Sequence, residues 1–350
     1  MCIRDSACAL LGLSGGAPDE PLQQTAWLPR NWIHPNPTAV DYLDLLTQGR
    51  LWPQAAAGTD VFGIHVDLLD DGTPRQMTHL AAMVASRGFE LAVEAGGTDP
   101  DWGCDELNGE SSAQLELRKL DRYFAVGGAV DYLVLDGPLS RVIAGGRAEN
   151  CGWTLAQGIE ELVDYFQAVH AIRPEIRIGL LVNFPNWSYK GLPSYFPDID
   201  HGDYHEALTQ LVAALALEGE SIELLLADNP YNYASGAVPS PHAKAVDWMG
   251  RLLALEADAE ALGLLFGPIY NTSMTGLFDA HFPTPQPPHS ESEAFELYTL
   301  AFIAEYQARG GSPDFRVIES WYPYPTYAVP ETTPWTFTHL VNAALELYAP

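Results

Sequence analysis

Seven apolar, β-branched runs recur along the chain, each closing on or just before a polar or aromatic residue and each followed by a stretch of helical spacing. The runs are Val61 to Leu69, Phe89 to Ala95, Val130 to Asp136, Ile176 to Asn183, Ile222 to Asp228, Leu262 to Asn271 and Phe315 to Trp321. Helices are expected over Pro74 to Arg87, Ser112 to Ala125, Leu155 to Ile172, His205 to Leu217, His242 to Leu262, Ser292 to Ala308 and Pro334 to Leu347, where apolar residues fall as Leu162, Tyr165, Phe166 and Val169 do. Alternation of this kind builds parallel, right-handed βαβ units, and seven or eight of them predict an α/β fold, a (β/α)8 TIM barrel in a single domain. The polar strand ends Glu94, Asp136, Asn183, Asp228, Asn271 and Glu319 follow one another at 42 to 48 residues. An open doubly wound sheet would concentrate its site at one switch point, and no G-x-G-x-x-G follows the first run. Thr25 to Ile33, followed by a helix from Thr38 to Leu46, is the candidate eighth strand; irregular closure is the alternative.

Charge narrows the partners. The 17 Lys+Arg against 46 Asp+Glu leave a formal charge of −29, which argues against nucleic acid or an anionic membrane. Residues 18–350 are expected to form the barrel domain. Residues 1–17 contain the apolar run Ala7 to Ala17, read either as a truncated secretory signal or as a poorly defined start. No later stretch reaches the length of a membrane span. Outside the leader the cysteines are Cys104 and Cys151, both in Gly-rich loops after expected strands. A disulfide between them, or two free thiols, fits that placement, and the bridge accords with a secreted or periplasmic protein.

In a (β/α)8 barrel the carboxyl ends of the strands carry the chemistry. Here they offer His65, Asp67, Glu94, Asp136, Asn183, Asp228, Asn271 and Glu319. Carboxylates converging on one mouth repel one another, so some are held protonated while others stay ionised, the condition for an acid and a nucleophile. Glu319 closes an apolar strand and is followed at once by Trp321, Tyr322 and Tyr324. Asp136 and Asp228 each precede x-Pro, as Asn183 does, and are its leading partners. Aromatic residues crowd the stretches after the strands: Trp102, Trp153, Trp187, Tyr189, Tyr195, Phe196, Tyr231, Tyr233, Tyr270, Trp321, Tyr322 and Tyr324. Rings that pack on C–H faces beside Asp, Asn and Glu that pair with hydroxyls fit a carbohydrate; the same rings also serve as loop packing. His65-Val66-Asp67 has no matching histidine at a later strand end, and Asp198 to Asp203 departs from the calcium loop, so no metal or other cofactor is expected. No G-x-S-x-G elbow or P-loop is present.

With Asp136, Asp228 and Glu319 at strand ends and Trp321 just beyond the last, the chain resembles the barrel glycoside hydrolases over about Thr25 to Tyr348. The large retaining group of those families keeps Asn-Glu at the end of strand four, where this chain has Asp136-Gly137-Pro138 or Asn183-Phe184-Pro185. With Thr25 to Ile33 as strand one, Asp136 and Asp228 fall on strands four and six, similar to the retaining α-galactosidases. The resemblance implies hydrolysis of glycosidic bonds in an oligo- or polysaccharide. Glu319 is then nucleophile or base, Asp228 acid and Asp136 alternate nucleophile. Asp67, His65, Glu94, Asn183, Trp187, Tyr231, Tyr233, Asn271, Trp321 and Tyr322 are candidate substrate-binding residues. A non-catalytic carbohydrate-binding barrel is the alternative. A polysaccharide lyase ranks below both, with only Arg141, Arg147 and Lys190 to clamp a uronate.

Overall fold

Eight short parallel strands close on themselves in chain order, β1 to β8, with β8 returning to β1. The computed structural model describes residues 29–144, 150–272 and 290–348 apart from Tyr322. The proposed leader, Arg147, Tyr322 and the side chain of Trp102 lie outside the described residues. The strands are β1 (Arg30–His34), β2 (Val61–His65), β3 (Glu90–Ala95), β4 (Tyr132–Asp136), β5 (Arg177–Asn183), β6 (Leu224–Asp228), β7 (Leu265–Tyr270) and β8 (Phe315–Glu319). The candidate eighth strand is thus real and comes first, pairing with β8 from Arg30↔Phe315 to His34↔Glu319.

Strand periodicity explains how the site is raised on the core. Side chains two residues apart share a face, and the barrel interior is packed by Trp32, Ala92, Val134, Leu181, Leu226, Ile269 and Val317. Two residues further on stand His34, Glu94, Asp136, Asn183, Asp228, Asn271 and Glu319. Seven of the eight strands therefore place one polar side chain above one apolar one. Gly63 makes room for this layer, because a Cβ there would sit 2.8 Å from Trp32 Nε1 and 2.9 Å from His34 Cγ. At the opposite end Glu90 binds both Arg30 (2.7 Å) and Arg177 (3.0 Å), with the Arg177 guanidinium 3.8 Å over the Tyr132 ring. Arginines close the floor of the barrel, and acids ring its mouth.

Helix boundaries follow local chemistry. The helices Pro74–Arg87 and Leu155–Ile172 start where expected, because Thr73 with Gln76 and Thr154 with Gln157 form reciprocal caps that satisfy the free N-terminal amides. Elsewhere the sequence reading overran. β2 ends at His65, whose ring accepts from the Asp67 amide and opens the helix Val66–Asp71. The helix expected from His242 begins at Trp248, capped by Asp247 accepting from the Gly250 amide at 3.1 Å. It stops before Gly263, whose φ of 78° breaks an apolar run that carries no other punctuation. Cys104 and Cys151 are joined in a disulfide across a Cα separation of 5.3 Å. No helix among the described residues is long and apolar enough to cross a membrane.

Candidate active site

Five strands bring charge to the mouth: His34 from β1, Glu94 from β3, Asp136 from β4, Asp228 from β6 and Glu319 from β8. His34, Glu94 and Glu319 are buried at 6%, 4% and 2% exposure, while Asp136 and Asp228 keep partial contact with solvent. His34 Nδ1 lies 3.5 Å from Glu94 Oε2 and 3.5 Å from Glu319 Oε2. Asp228 Oδ1 accepts from Asn271 Nδ2 at 3.1 Å, and Asn271 is itself buried just past β7.

Crowding sets the protonation of these acids. Burial, then the charges of Glu319, Asp136 and Asp228, pushes the Glu94 carboxyl well above its usual range, against the pull of Arg141. Burial and Glu319 likewise raise Asp228 to about 7, opposed by the hydrogen bond from Asn271. Burial lowers the His65 imidazole although Asp67 pulls it up, so His65 stands neutral at pH 7. Asp136 is held differently. Arg141 closes on its carboxylate at 2.7 Å, donates through Nε to the Asp136 carbonyl at 2.8 Å and reaches Asp99 at 3.5 Å. The arginine weighed as a clamp for a uronate is thus occupied by two of the protein's own carboxylates.

The aromatic residues divide. Trp321 is 42% exposed, with its ring centroid 5.7 Å from that of His65 and 6.4 Å from that of His34, and it stands beside the acids. Trp187 turns the other way, buried against Tyr204 and His201. Tyr231 stacks on Phe302 and donates its hydroxyl to Glu305 of the helix Glu291–Ala308. Tyr233 packs edge-on against Tyr195 and Phe196. Tyr189 and Tyr270 are buried in the shell between strands and helices. Most of the loop aromatics are loop and shell packing, and among those described Trp321 stands beside the acidic cluster. Asn183 is exposed at the rim of β5, and Asp67 points out toward His65 (3.2 Å) and Lys119 (3.8 Å).

Sequence reasoning missed His34. It lies one residue beyond the boundary drawn for the first strand, and a proline, Pro35, follows it at once, where Asp136, Asn183 and Asp228 each have one residue before theirs. Glu116 was also missed. Its Oε1 accepts from the amides of Gly96 and Gly97 at 2.9 and 3.1 Å, and its other oxygen takes the Tyr165 hydroxyl, which anchors the loop just after Glu94.

No protein-family model and no curated protein sequence matches the chain. Solved structures do. A malate synthase of Haloferax volcanii aligns at a TM-score of 0.51 and 13% identity over 92% of this chain and 74% of its own. A glucosidase from Croceicoccus marinus aligns at 0.51 and 14% over 91% of this chain and 67% of its own. An endo-beta-N-acetylglucosaminidase from Cordyceps militaris follows at 0.43 and 11% over 90% of each. At such identity the likeness shows architecture alone: the chain is a (β/α)8 barrel, of a fold that glycosidases share with enzymes of other chemistry.

Proposed function

We propose that the chain hydrolyses glycosidic bonds of an oligo- or polysaccharide at the barrel mouth, with Glu319 as nucleophile or base and Asp228 as general acid. The observation that carries this reading is the convergence of Glu94, Asp228 and Glu319 on one mouth. Hydrolysis by a carboxyl pair requires one group protonated and the other ionised at the same moment. Asp228, raised to about 7, fills the acid role near neutral pH. It gives its proton to the leaving oxygen as Glu319 attacks the anomeric carbon or directs a water to it. Asp136 is bound by Arg141, which favours Glu319 for the attack. Glu94, whose carboxyl burial and the Glu319 charge push upward, pairs with sugar hydroxyls, and Trp321 offers a ring face to the C–H side of the sugar. The Cys104–Cys151 bridge supports export to an oxidising compartment.

The test is reducing-end release from a panel of polysaccharides as a function of pH. The reading expects kcat/KM to fall above pH about 7 as Asp228 loses its proton, and expects Asp228→Asn to remove that limb along with most of the turnover. A profile unchanged in Asp228→Asn would sink the assignment of the acid.

A further inference from the structure

His34, Glu94 and Glu319 come from β1, β3 and β8, and one donor atom from each lies within 4.8 Å of the other two. The two distances from His34 Nδ1, both 3.5 Å, are too long for an N–H···O hydrogen bond, which closes to about 2.7–3.2 Å. They fit the edge of a coordination shell, since N and O ligands about 2.1 Å from a tetrahedral ion stand about 3.4 Å apart. The carboxylates are otherwise unspent. Both oxygens of Glu94 and Oε1 of Glu319 are buried, with no hydrogen-bond partner among the described residues. Among the described residues no lysine or arginine forms an ion pair with either, and Arg141 is committed to Asp136 and Asp99. The three side chains also line a cavity of about 10 Å³ floored by Trp32, Val134 and Leu226, room for a single small sphere.

We propose that His34, Glu94 and Glu319 bind one divalent cation of the class that imidazole and carboxylate share, Zn2+ or Mn2+ in preference to Ca2+. The proposal departs from the expectation of a metal-free mouth and goes beyond the hydrolase reading without resting on it. While Glu319 serves as a ligand it is withdrawn from attack on a sugar, so cation binding and hydrolysis through Glu319 exclude one another.

The experiment titrates the full chain, stripped with a chelator, with Zn2+, Mn2+ and Ca2+ by calorimetry. The expected result is one site per chain for Zn2+ and Mn2+, at least about tenfold tighter than Ca2+, and at least about tenfold weaker in His34→Gln and in Glu94→Gln. Weak binding at many sites, unchanged in both variants, would assign the cations to the acidic surface and overturn the proposal. Where a variant fails to fold, pulsed paramagnetic resonance of Mn2+ on the unmodified protein decides: coupling to one imidazole nitrogen is expected, and its absence contradicts the site. Hydrolysis by the chelated protein is measured alongside. Binding without turnover removes the hydrolase reading and leaves the cation site, and turnover without binding does the reverse.

Discussion

At the scale of the residue, burial decides what each acid can do. Glu116 is buried and raised to about 7 from 4.5, despite hydrogen bonds from Tyr165 and two glycine amides that pull the other way. Between those values the folded protein holds a proton that the unfolded chain has released. Stability therefore falls as pH rises from about 4.5 to 7 and is level above, by on the order of 3 kcal/mol. Urea unfolding of the natural chain and Glu116→Gln across that window isolates the effect, since other carboxylates cancel in the difference: the gap between the two should change in favour of the variant as pH rises. A constant gap would show that Glu116 titrates alike in both states. Glu94 and Glu319 were legible in the sequence because a carboxylate at the end of an apolar strand is costly unless used. His34 was not, because the boundary drawn for its strand stops at Ile33, one residue short of the strand's observed end.

At the scale of the element, two glycines hold packing that no larger residue allows. A Cβ on Gly109 would lie 1.9 Å from the Glu161 carbonyl oxygen, where the helix Asn108–Phe124 crosses Leu155–Ile172. Gly109→Ala should force the helices apart and cost about 1–3 kcal/mol or more, read as a lowered denaturation midpoint. Gly63→Ala acts on function instead. It presses on Trp32 and His34, so the expected outcome is altered chemistry at the mouth with a smaller change in stability. Alternation of strands and helices was legible because buried parallel strands leave short continuous apolar runs while helices space their apolar residues at a period of 3.6. The orientation of the loop aromatics was not, since a tyrosine after a strand packs equally well on the shell or the mouth, and Tyr231 takes the shell through Phe302 and Glu305.

At the scale of the whole molecule, charge is sorted along the barrel axis. Arg30 and Arg177 neutralise Glu90 at the floor, while Glu94, Asp228 and Glu319 at the mouth have no arginine or lysine ion pair among the described residues. The disulfide Cys104–Cys151 spans 47 residues and ties the loop after β3 to the loop after β4, which frame the same mouth. Closing a loop of that length is worth about 4 kcal/mol by chain entropy, so reduction should lower stability by that order, measured by denaturant unfolding with and without reductant. The central claim is that the acids at the mouth catalyse rather than merely bind. The most direct measurement is turnover and substrate binding by the natural chain beside Glu319→Gln on a polysaccharide panel. The account predicts turnover reduced about a thousandfold with binding retained. Turnover undiminished in the variant, or binding with no turnover in either protein, would contradict it.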